Sequence, residues 1–568
     1  MELTNPDRRA FLAFFASSGL SSTLLPGVLW AQIQPGPKMI TLEMVRESAR
    51  LAGLAWTDEE CQDLVESLSS FARGAEGIDR QALTNASPLP LHFDPNPPGV
   101  APPALPSSTF RVESATRIRR PRNLEEVAFS PVTDLAHLLQ SRQVTSLELT
   151  TMYLGRLRRY NGQLNCVAAL TEDRALAEAA AADKAIAAGK YRGLLHGIPY
   201  GVKDIIAAKG YPTRWGAAPL ERQSFDEDAT VVQRLGEAGA VLVAKLTTGE
   251  MAFGDQWSGG RTNNPWNPTE GSSGSSAGSG AATAAGLVGF AIGTDTGGSI
   301  LSPAVRCGIV GLRPTFGRVS RYGVMSAGTT LDKIGPMCRH AQDCAIVLRA
   351  IAGADNRDLA VARDVPVEWD ATTGRYPKRI AYVPAMMDAE TDIDQRANNA
   401  RALAMLARLG CSTHAVTMPG GDLSYFIEYV ERAAAFDSFT AAGLHKGLRP
   451  RTSRYLRAGQ LVTAVDYLQA NRRRAVIMQE VARAMSGADA VMFTALTLDS
   501  RTSLNPVMSL TGHPSIAVPN GLRSSGSPTG VMFAGHLYRE GALVALAKAW
   551  QDATGDGRRQ PPLFRVEG

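Results

Sequence analysis

The sequence has few of the residues that usually mark a disulfide scaffold or a metal site. Six cysteines occur in 568 residues, and no two of them are spaced as C-x-x-C. The eight histidines include no H-E-x-x-H motif and no pair at positions i and i+4. We therefore expect no disulfide-rich fold, no structural zinc site and no catalytic metal.

A strong charge imbalance is also missing. The formal net charge is only +5, and it is spread over clusters such as Arg117–Arg122 and Arg472–Arg474. Clusters of this kind are more typical of solvated helix surface than of a nucleic-acid face. The content of 44% hydrophobic and 20% charged residues is ordinary for a globular protein with a large core. No nucleic-acid partner is expected.

Residues 1–32 have the pattern of an export signal. Arg8 and Arg9 precede a moderately apolar run from Ala10 to Ala31, which is short for a membrane span and diluted by Ser, Thr, Gly and Pro. The arginine pair followed by Phe11 and Leu12 resembles a twin-arginine signal, which directs folded proteins across a membrane. We expect a periplasmic or secreted protein. An amphipathic or disordered N-terminus of a cytoplasmic protein is the alternative.

The rest of the chain divides into three predicted parts. Residues 33–90 form an N-terminal helical extension, because 40–75 has the pattern of two amphipathic helices with a first apolar stripe of Leu42, Val45, Ala49, Leu51 and Leu54. Residues 91–122 form a Pro-rich connector, in which the prolines exclude regular structure. Residues 123–560 form the main body of the chain.

The main body alternates helices with short β-branched runs. Strands are expected near Cys166–Leu170, in "AVLVAKL", in "ADAVMFTAL" and in "PSIAVPNG", whereas 380–480 is expected to be largely helical. This alternation predicts an α/β fold in which a large mixed sheet is surrounded by helices.

A Gly/Ser-rich stretch at 268–287, "PTEGSSGSSAGSGAATAAGL", can be a linker or a functional loop. Its composition is typical of flexible linkers, yet it continues directly into an Ala-rich, helix-favouring segment. Downstream, "TDTGGS" offers consecutive backbone N–H groups on a Gly-permitted turn and ends in the hydroxyl of Ser299. Upstream, "GVKD" carries Lys203. A nucleophilic serine requires a base, and a lysine that its surroundings keep neutral can be that base.

Together these three segments resemble the amidase signature family of serine hydrolases. The resemblance extends from about residue 125 to residue 555 and includes "TLDKIGPMCRHAQDC" and "MSLTGHPSIAVPNG". It implies that residues 123–560 are a catalytic domain with the amidase signature fold. It also implies a catalytic triad of a lysine, a bridging serine on a cis peptide bond and a nucleophilic serine. Lys203 and Ser299 match the first and third members. The resemblance implies no cofactor and no metal.

The family pattern also assigns the bridging serine. It has the form G-G-S-S-G-G-S before the Ala-rich helix, and counting back from Ala284–Val288 aligns Ser275-Ser276 with its paired serines. Ser275 is therefore the predicted bridging residue, and Ser272 falls outside the motif. The stretch is predicted to be a catalytic loop. The predicted oxyanion hole consists of the N–H groups of Thr296, Gly297, Gly298 and Ser299.

The chain departs from the family pattern at two positions that concern substrate recognition. Leu301 stands where the family usually has an arginine, and Arg306 either supplies a nearby charge or is structural. Ser273 replaces the first glycine of the paired glycines. Asp295, within the same motif, is interpreted as a structural acceptor for loop amides.

The predicted function is an amidohydrolase that cleaves C–N amide bonds, with esters or carbamates as further candidate substrates, through a Ser-cisSer-Lys triad and an acyl-enzyme. The expected partner is a small-molecule amide, with no stable membrane association, and the sequence is compatible with a homodimer. One alternative is the glutaminase-type subunit of a tRNA-dependent amidotransferase, since residues 40–75 loosely resemble the small helical partner of that complex.

A second alternative is an α/β-hydrolase-type esterase. "GSSAG" matches the G-x-S-x-G nucleophile elbow, with Ser276 as nucleophile and His513 or His536 as base. That motif requires an apolar strand immediately before it, and "TNNPWNPTEGS" does not have the composition of one. Both histidines are therefore interpreted as core or turn residues.

Overall fold

Short buried strands separated by helices build one large mixed sheet in a computed structural model of the chain. The structure describes residues 40–51, 57, 58, 61, 62, 65, 93–96, 105–113, 118–361, 365–459, 462–494 and 504–566. The predicted export signal at 1–32 lies outside the described residues, as does most of the predicted second helix of the N-terminal extension.

The strands of the described residues are β1 Phe110–Arg111, β2 Val167–Leu170, β3 Pro199–Lys203, β4 Val241–Leu246, β5 Gln256–Trp257, β6 Gly260–Arg261, β7 Phe290–Asp295, β8 Val310–Arg313, β9 Lys333–Cys338, β10 Trp369–Asp370, β11 Arg379–Tyr382, β12 Ser412–Ala415, β13 Ala490–Thr494, β14 Ser515–Leu522 and β15 Pro528–Gly535. Eleven of them form one sheet in the order β12-β11-β13-β15-β14-β8-β9-β7-β3-β4-β2. Parallel and antiparallel pairs are mixed, which confirms the predicted α/β fold.

The α-helices of the described residues are α1 Leu42–Leu51, α2 Val132–Gln140, α3 Ser146–Leu164, α4 Glu172–Ala187, α5 Thr230–Glu237, α6 Ala277–Ala284, α7 Leu301–Cys307, α8 Ala341–Ile351, α9 Pro384–Asp388, α10 Ile393–Arg408, α11 Asp422–Ala435, α12 Asp437–Ala441, α13 Pro450–Ala458, α14 Ala464–Met485, α15 Leu504–Leu510 and α16 Glu540–Thr554. In the part of the chain that is described, no helix is both long enough and apolar enough to cross a membrane.

The chain divides into two compact units, Met1–Thr84 with Leu461–Asp466, and Asn85–Gln460 with Tyr467–Gly568. In the first unit, Val45 of α1 and Cys61 are buried together, and Ile40, Leu42 and Val65 pack against them. The prediction that Leu51 belongs to this apolar stripe is wrong, because its side chain is 59% exposed. Nine residues at about 100° each place it opposite Leu42 on the helix.

The predicted strands of the catalytic domain are present as β2, β4, β13 and β14. The helical segment at 380–480 also contains β12, whose four residues are all exposed. It pairs with β11 alone at the edge of the sheet, so it carries no apolar pattern from which a strand could be predicted.

Three central strands place the predicted motifs side by side, at the end of the sheet where β3 and β7 finish. β3 and β7 are parallel neighbours, with Val202 opposite Ile292, so the ends of both strands lie side by side. β9 runs antiparallel to β7 and begins where β7 ends, with Lys333 opposite Asp295. All residues of these strands are buried, as is typical of sheet strands covered on both faces.

Candidate active site

Lys203 lies at the end of β3 and is fully buried. Its Nζ donates hydrogen bonds to Ser275 Oγ at 2.7 Å and to Thr294 Oγ1 at 2.8 Å. Both acceptors are hydroxyl groups, so no carboxylate is hydrogen-bonded to this amine within the described residues. Such surroundings give the charged form of the lysine little compensation for its lost hydration.

The electrostatics of the site favour a neutral lysine. Burial lowers the pKa of Lys203 to about 7, against the opposing effect of the Asp295 and Asp332 carboxylates and with a further lowering by Arg432. A large fraction of the amine is therefore unprotonated near neutral pH. A neutral amine in contact with a hydroxyl can accept its proton.

Ser275 is held in a loop that leads into α6. The peptide bond between Gly274 and Ser275 is cis. Gly274 has no room for a side chain, because a Cβ there would lie 1.8 Å from the carbonyl oxygen of Gly254. Ser273, which replaces the usual glycine, has a φ of 62° and donates its N–H to Asp255 Oδ2 at 3.2 Å. This departure from the family pattern thus occupies a conformation that favours glycine.

The neighbouring serines have other hydrogen-bond partners. Ser276 is buried, and its hydroxyl donates to the Thr294 carbonyl at 3.1 Å and accepts from the Thr294 N–H at 3.2 Å. Ser272 Oγ donates to the carbonyl of Ser273 at 3.0 Å. Ser275 is thus the serine of this loop that contacts Lys203, as the sequence register requires.

Ser299 lies beside this pair in the turn between β7 and α7. Its carbonyl oxygen accepts the N–H of Ser276 at 3.1 Å, which ties the two loops together. Lys203 and Ser275 are 0% and 1% exposed, whereas Ser299 is partly exposed. Its hydroxyl makes no hydrogen bond to any residue that the structure describes. Ser299 is the member of this group that solvent reaches most readily.

Asp295 organises the turn that carries Ser299. Its carboxylate accepts the N–H groups of Gly298 and Ile300, each at 2.8 Å, and contacts Arg313 at 3.1 Å. Burial favours the protonated acid, but Arg313 and Lys333 outweigh it and the pKa of Asp295 is lowered. The interpretation of Asp295 as an acceptor for loop amides is confirmed.

The four predicted oxyanion donors are not equivalent. The Gly298 N–H is donated to Asp295, so that part of the prediction needs correction: this N–H is already occupied. The N–H groups of Thr296, Gly297 and Ser299 have no acceptor among the described residues. Gly298 is still required as glycine, since its φ is 133° and a Cβ would lie 2.2 Å from Asn505 Nδ2.

Two further side chains of the site were not predicted. Thr294 accepts from Lys203, and Asp332 accepts the hydroxyl of Thr296 at 2.6 Å and the N–H groups of Ala327 and Gly328. The signal for Thr294 is weak because threonine is common in strands for packing reasons. Asp332 stands in the quoted "TLDKIGP", but sequence alone does not connect it with Thr296.

Arg306 and Leu301 are the two residues that concern the remaining departure from the family pattern. Arg306 donates to Glu270 Oε2 at 2.6 Å and to the carbonyl of Gly271, so its charge is paired with a carboxylate. Leu301 is fully buried at the start of α7. Arg306 is therefore structural.

The nucleophile-elbow alternative lacks its structural requirements. Residues 262–276, which precede and include Ser276, contain no strand. His513 is buried beside Thr511 Oγ1 at 2.8 Å, and burial lowers its pKa to about 3. His536 Nε2 lies 2.9 Å from the carbonyl of Ala488. Both histidines are core or turn residues, as expected.

Among the described residues, no group of three or more His, Cys, Asp or Glu side chains is arranged to hold a metal ion. All six cysteines are buried free thiols.

The mixed sheet and the motifs around Lys203, Ser275 and Ser299 agree with a comparison of the sequence with known families. The sequence profile of the Amidase family matches residues 148–544. The chain belongs to this family, the amidase signature enzymes, and is a hydrolase that acts on C–N bonds.

Similar proteins support this assignment. The chain is 35% identical to the putative amidase AmiD of Mycobacterium tuberculosis over 471 residues, which cover 78% of this chain and 98% of that protein. It is 33% identical to a component of the glutamyl-tRNA(Gln) amidotransferase of Thermosynechococcus vestitus, covering 76% of this chain and 100% of that one. The solved peptide amidase of Stenotrophomonas maltophilia is similar with a TM-score of 0.70 and 30% identity, over 78% of this chain and 100% of that chain.

Proposed function

We propose that this chain hydrolyses small-molecule amides through Ser299 as nucleophile, with Ser275 and Lys203 as the proton carriers. The observation that carries the proposal is the 2.7 Å contact between Lys203 Nζ and Ser275 Oγ, made by an amine whose pKa is lowered to about 7. The partly exposed Ser299 is tied to the residue after Ser275, because its carbonyl accepts the Ser276 N–H at 3.1 Å.

In the first half-reaction, Ser299 Oγ attacks the carbonyl carbon of the amide. Its proton passes to Ser275 Oγ while the proton of Ser275 passes to the neutral Nζ of Lys203. The carbonyl oxygen becomes an oxyanion that accepts hydrogen bonds from the N–H groups of Thr296, Gly297 and Ser299. When the tetrahedral intermediate collapses, the C–N bond breaks and the leaving nitrogen takes a proton back along the same path.

The second half-reaction uses the same proton path, with water in place of Ser299 as the attacking group. A water molecule attacks the acyl-enzyme and gives a proton through Ser275 to Lys203. The acid is then released, and the proton returns to Ser299. Thr294 supports both halves: when Lys203 is neutral, an N–H donated to Thr294 Oγ1 turns the nitrogen lone pair toward Ser275.

A fluorophosphonate probe tests these assignments by peptide mapping. The probe is expected to label Ser299, and Ser299→Ala is expected to abolish both labelling and turnover while the fold is kept. Ser275→Ala should slow labelling by roughly two orders of magnitude or more, because the attacking hydroxyl loses the residue that passes its proton to Lys203.

Ser272→Ala is the matched control, since Ser272 lies in the same loop but contacts its own neighbour. Its labelling rate is expected to stay within about twofold of the wild type. Labelling of Ser276, or a fast Ser275→Ala variant beside a slow Ser272→Ala variant, would overturn the proposal. Ammonia release from glutamine, compared with release from aryl and alkyl amides, separates it from the amidotransferase alternative.

We further propose that the chain is exported to the periplasm or secreted. The support is the twin arginine, Arg8 and Arg9, followed by a short apolar run. Replacing both arginines with lysines is expected to stop export of the folded enzyme. Unchanged delivery of that variant would refute export by this route and would leave the enzymatic proposal intact.

A further inference from the structure

A second buried lysine–serine pair lies behind the loop that carries Ser299. Lys333, the first residue of β9, donates from Nζ to Ser509 Oγ at 2.6 Å and to the Ser509 carbonyl at 3.1 Å. Ser509 belongs to α15 and is fully buried. Its hydroxyl donates in turn to the carbonyl oxygen of Thr296. The chain of hydrogen bonds therefore runs from Lys333 through Ser509 to the backbone of the loop.

The carbonyl that receives this hydrogen bond shares a peptide group with the Gly297 N–H. Because the amide is a resonance system, a hydrogen bond to its oxygen makes its N–H a stronger donor. That N–H has no acceptor among the described residues, and a Cβ built on Gly297 would meet no atom within 4 Å. The Thr296 side chain is bound independently to Asp332 at 2.6 Å. The peptide is thus anchored on one side and open on the other.

We propose that Lys333 and Ser509 are positioning residues that hold and polarise the Thr296–Gly297 peptide for the oxyanion. This inference rests on the proposed function, because it needs the Gly297 N–H to receive the substrate oxygen. Neither residue touches the substrate. They act through a backbone amide, and they are separate from the Lys203–Ser275 pair that carries the proton.

The charges around Lys333 are consistent with this role. Burial lowers the pKa of Lys333 well below its usual value, and the Arg313 guanidinium lowers it further. Asp295 and Asp332 oppose this shift, whereas Arg474 adds to it. A neutral amine still donates N–H to Ser509, so the hydrogen-bond chain is retained in either protonation state.

The test compares Lys333→Met and Ser509→Ala with the wild type, each normalised to the active sites that fluorophosphonate titrates. Both variants are expected to lower kcat roughly tenfold without changing KM, since removing an oxyanion donor itself costs about 100-fold or more. The double variant should lose no more than either single one, because the two residues act in one chain.

A pair of inhibitors adds a readout that a purely structural role would leave unchanged. An aryl trifluoromethyl ketone forms a tetrahedral adduct that places an oxyanion at the site, whereas the corresponding alcohol does not. Affinity for the ketone is expected to fall by the same factor as kcat, and affinity for the alcohol to stay constant.

Ser279→Ala is the matched control. Ser279 is equally buried, and its hydroxyl donates to the Ile292 carbonyl of β7 at 3.0 Å, away from the turn. It is expected to keep kcat and ketone affinity. Wild-type values in both Lys333→Met and Ser509→Ala, or equal losses in Ser279→Ala, would overturn the inference. Retained turnover in Ser299→Ala would instead refute the proposed function, so the two failures are distinguishable.

Discussion

Two buried lysines on neighbouring strands differ in the groups to which their amines are hydrogen-bonded. Lys203 of β3 and Lys245 of β4 are both 0% exposed, and Val202 pairs with Lys245 across the strands. Lys245 donates to the Asp204 carboxylate at 2.8 Å and to Thr213 Oγ1 at 2.8 Å. Lys203 has two hydroxyl acceptors instead.

The difference lies in the compensation for burial. Burial lowers the pKa of both lysines, but the adjacent Asp204 carboxylate favours the charged form of Lys245 both by its charge and by its hydrogen bond. Among the described residues Lys203 has no directly bonded anion, and burial lowers its pKa to about 7. The Asp204 contact favours a charged Lys245, whereas the two hydroxyl partners of Lys203 favour the neutral amine that the proposed mechanism requires.

The largest expected effect separates the two lysines by activity. Lys203→Met is expected to lower kcat/KM for amides by roughly three orders of magnitude, because the nucleophile loses its base. Activated esters should lose less, since their leaving groups need no proton. Lys245→Met, measured per titrated active site, should stay close to the wild type. A Lys245→Met variant as inactive as Lys203→Met would remove the distinction.

A smaller effect, in the opposite order, is expected for stability. Lys245→Met leaves the buried Asp204 carboxylate without its cationic partner and should lower the free energy of unfolding by about 3–5 kcal/mol. Lys203→Met leaves no buried anion behind and is expected to cost much less. Urea unfolding of the two variants measures this difference. Equal losses in both would show that the Asp204 pair has no special structural importance.

Much of the site follows from local sequence, because its loops are short and rich in glycine. "GVKD" and "TDTGGS" carry Lys203 and Ser299. The family pattern, aligned on the Ala-rich helix, pointed to Ser275, and this serine contacts Lys203. The occupied N–H of Gly298 was missed because consecutive glycines indicate a turn without showing which amides the turn itself uses.

Other parts of the site depend on contacts between distant segments. Ser509 and Lys333 are 176 residues apart, and Thr296 and Asp332 are 36 residues apart. No local sequence pattern indicates such pairs, since a lysine or serine is most often a surface residue. In the fold, β12 was missed for a related reason: an exposed edge strand lacks the apolar alternation by which strands are recognised.

The pH dependence of kcat/KM for a neutral amide tests the central claim, that a neutral Lys203 is the base, most directly. Lys203 accepts a proton only when it is unprotonated, so activity should be full above its pKa of about 7 and lost as the pH falls below it. His513→Ala and His536→Ala should keep this acidic limb, because both rings are bound elsewhere. An amidase activity that persists unchanged well below pH 7, or a limb that disappears in either histidine variant, would contradict the account.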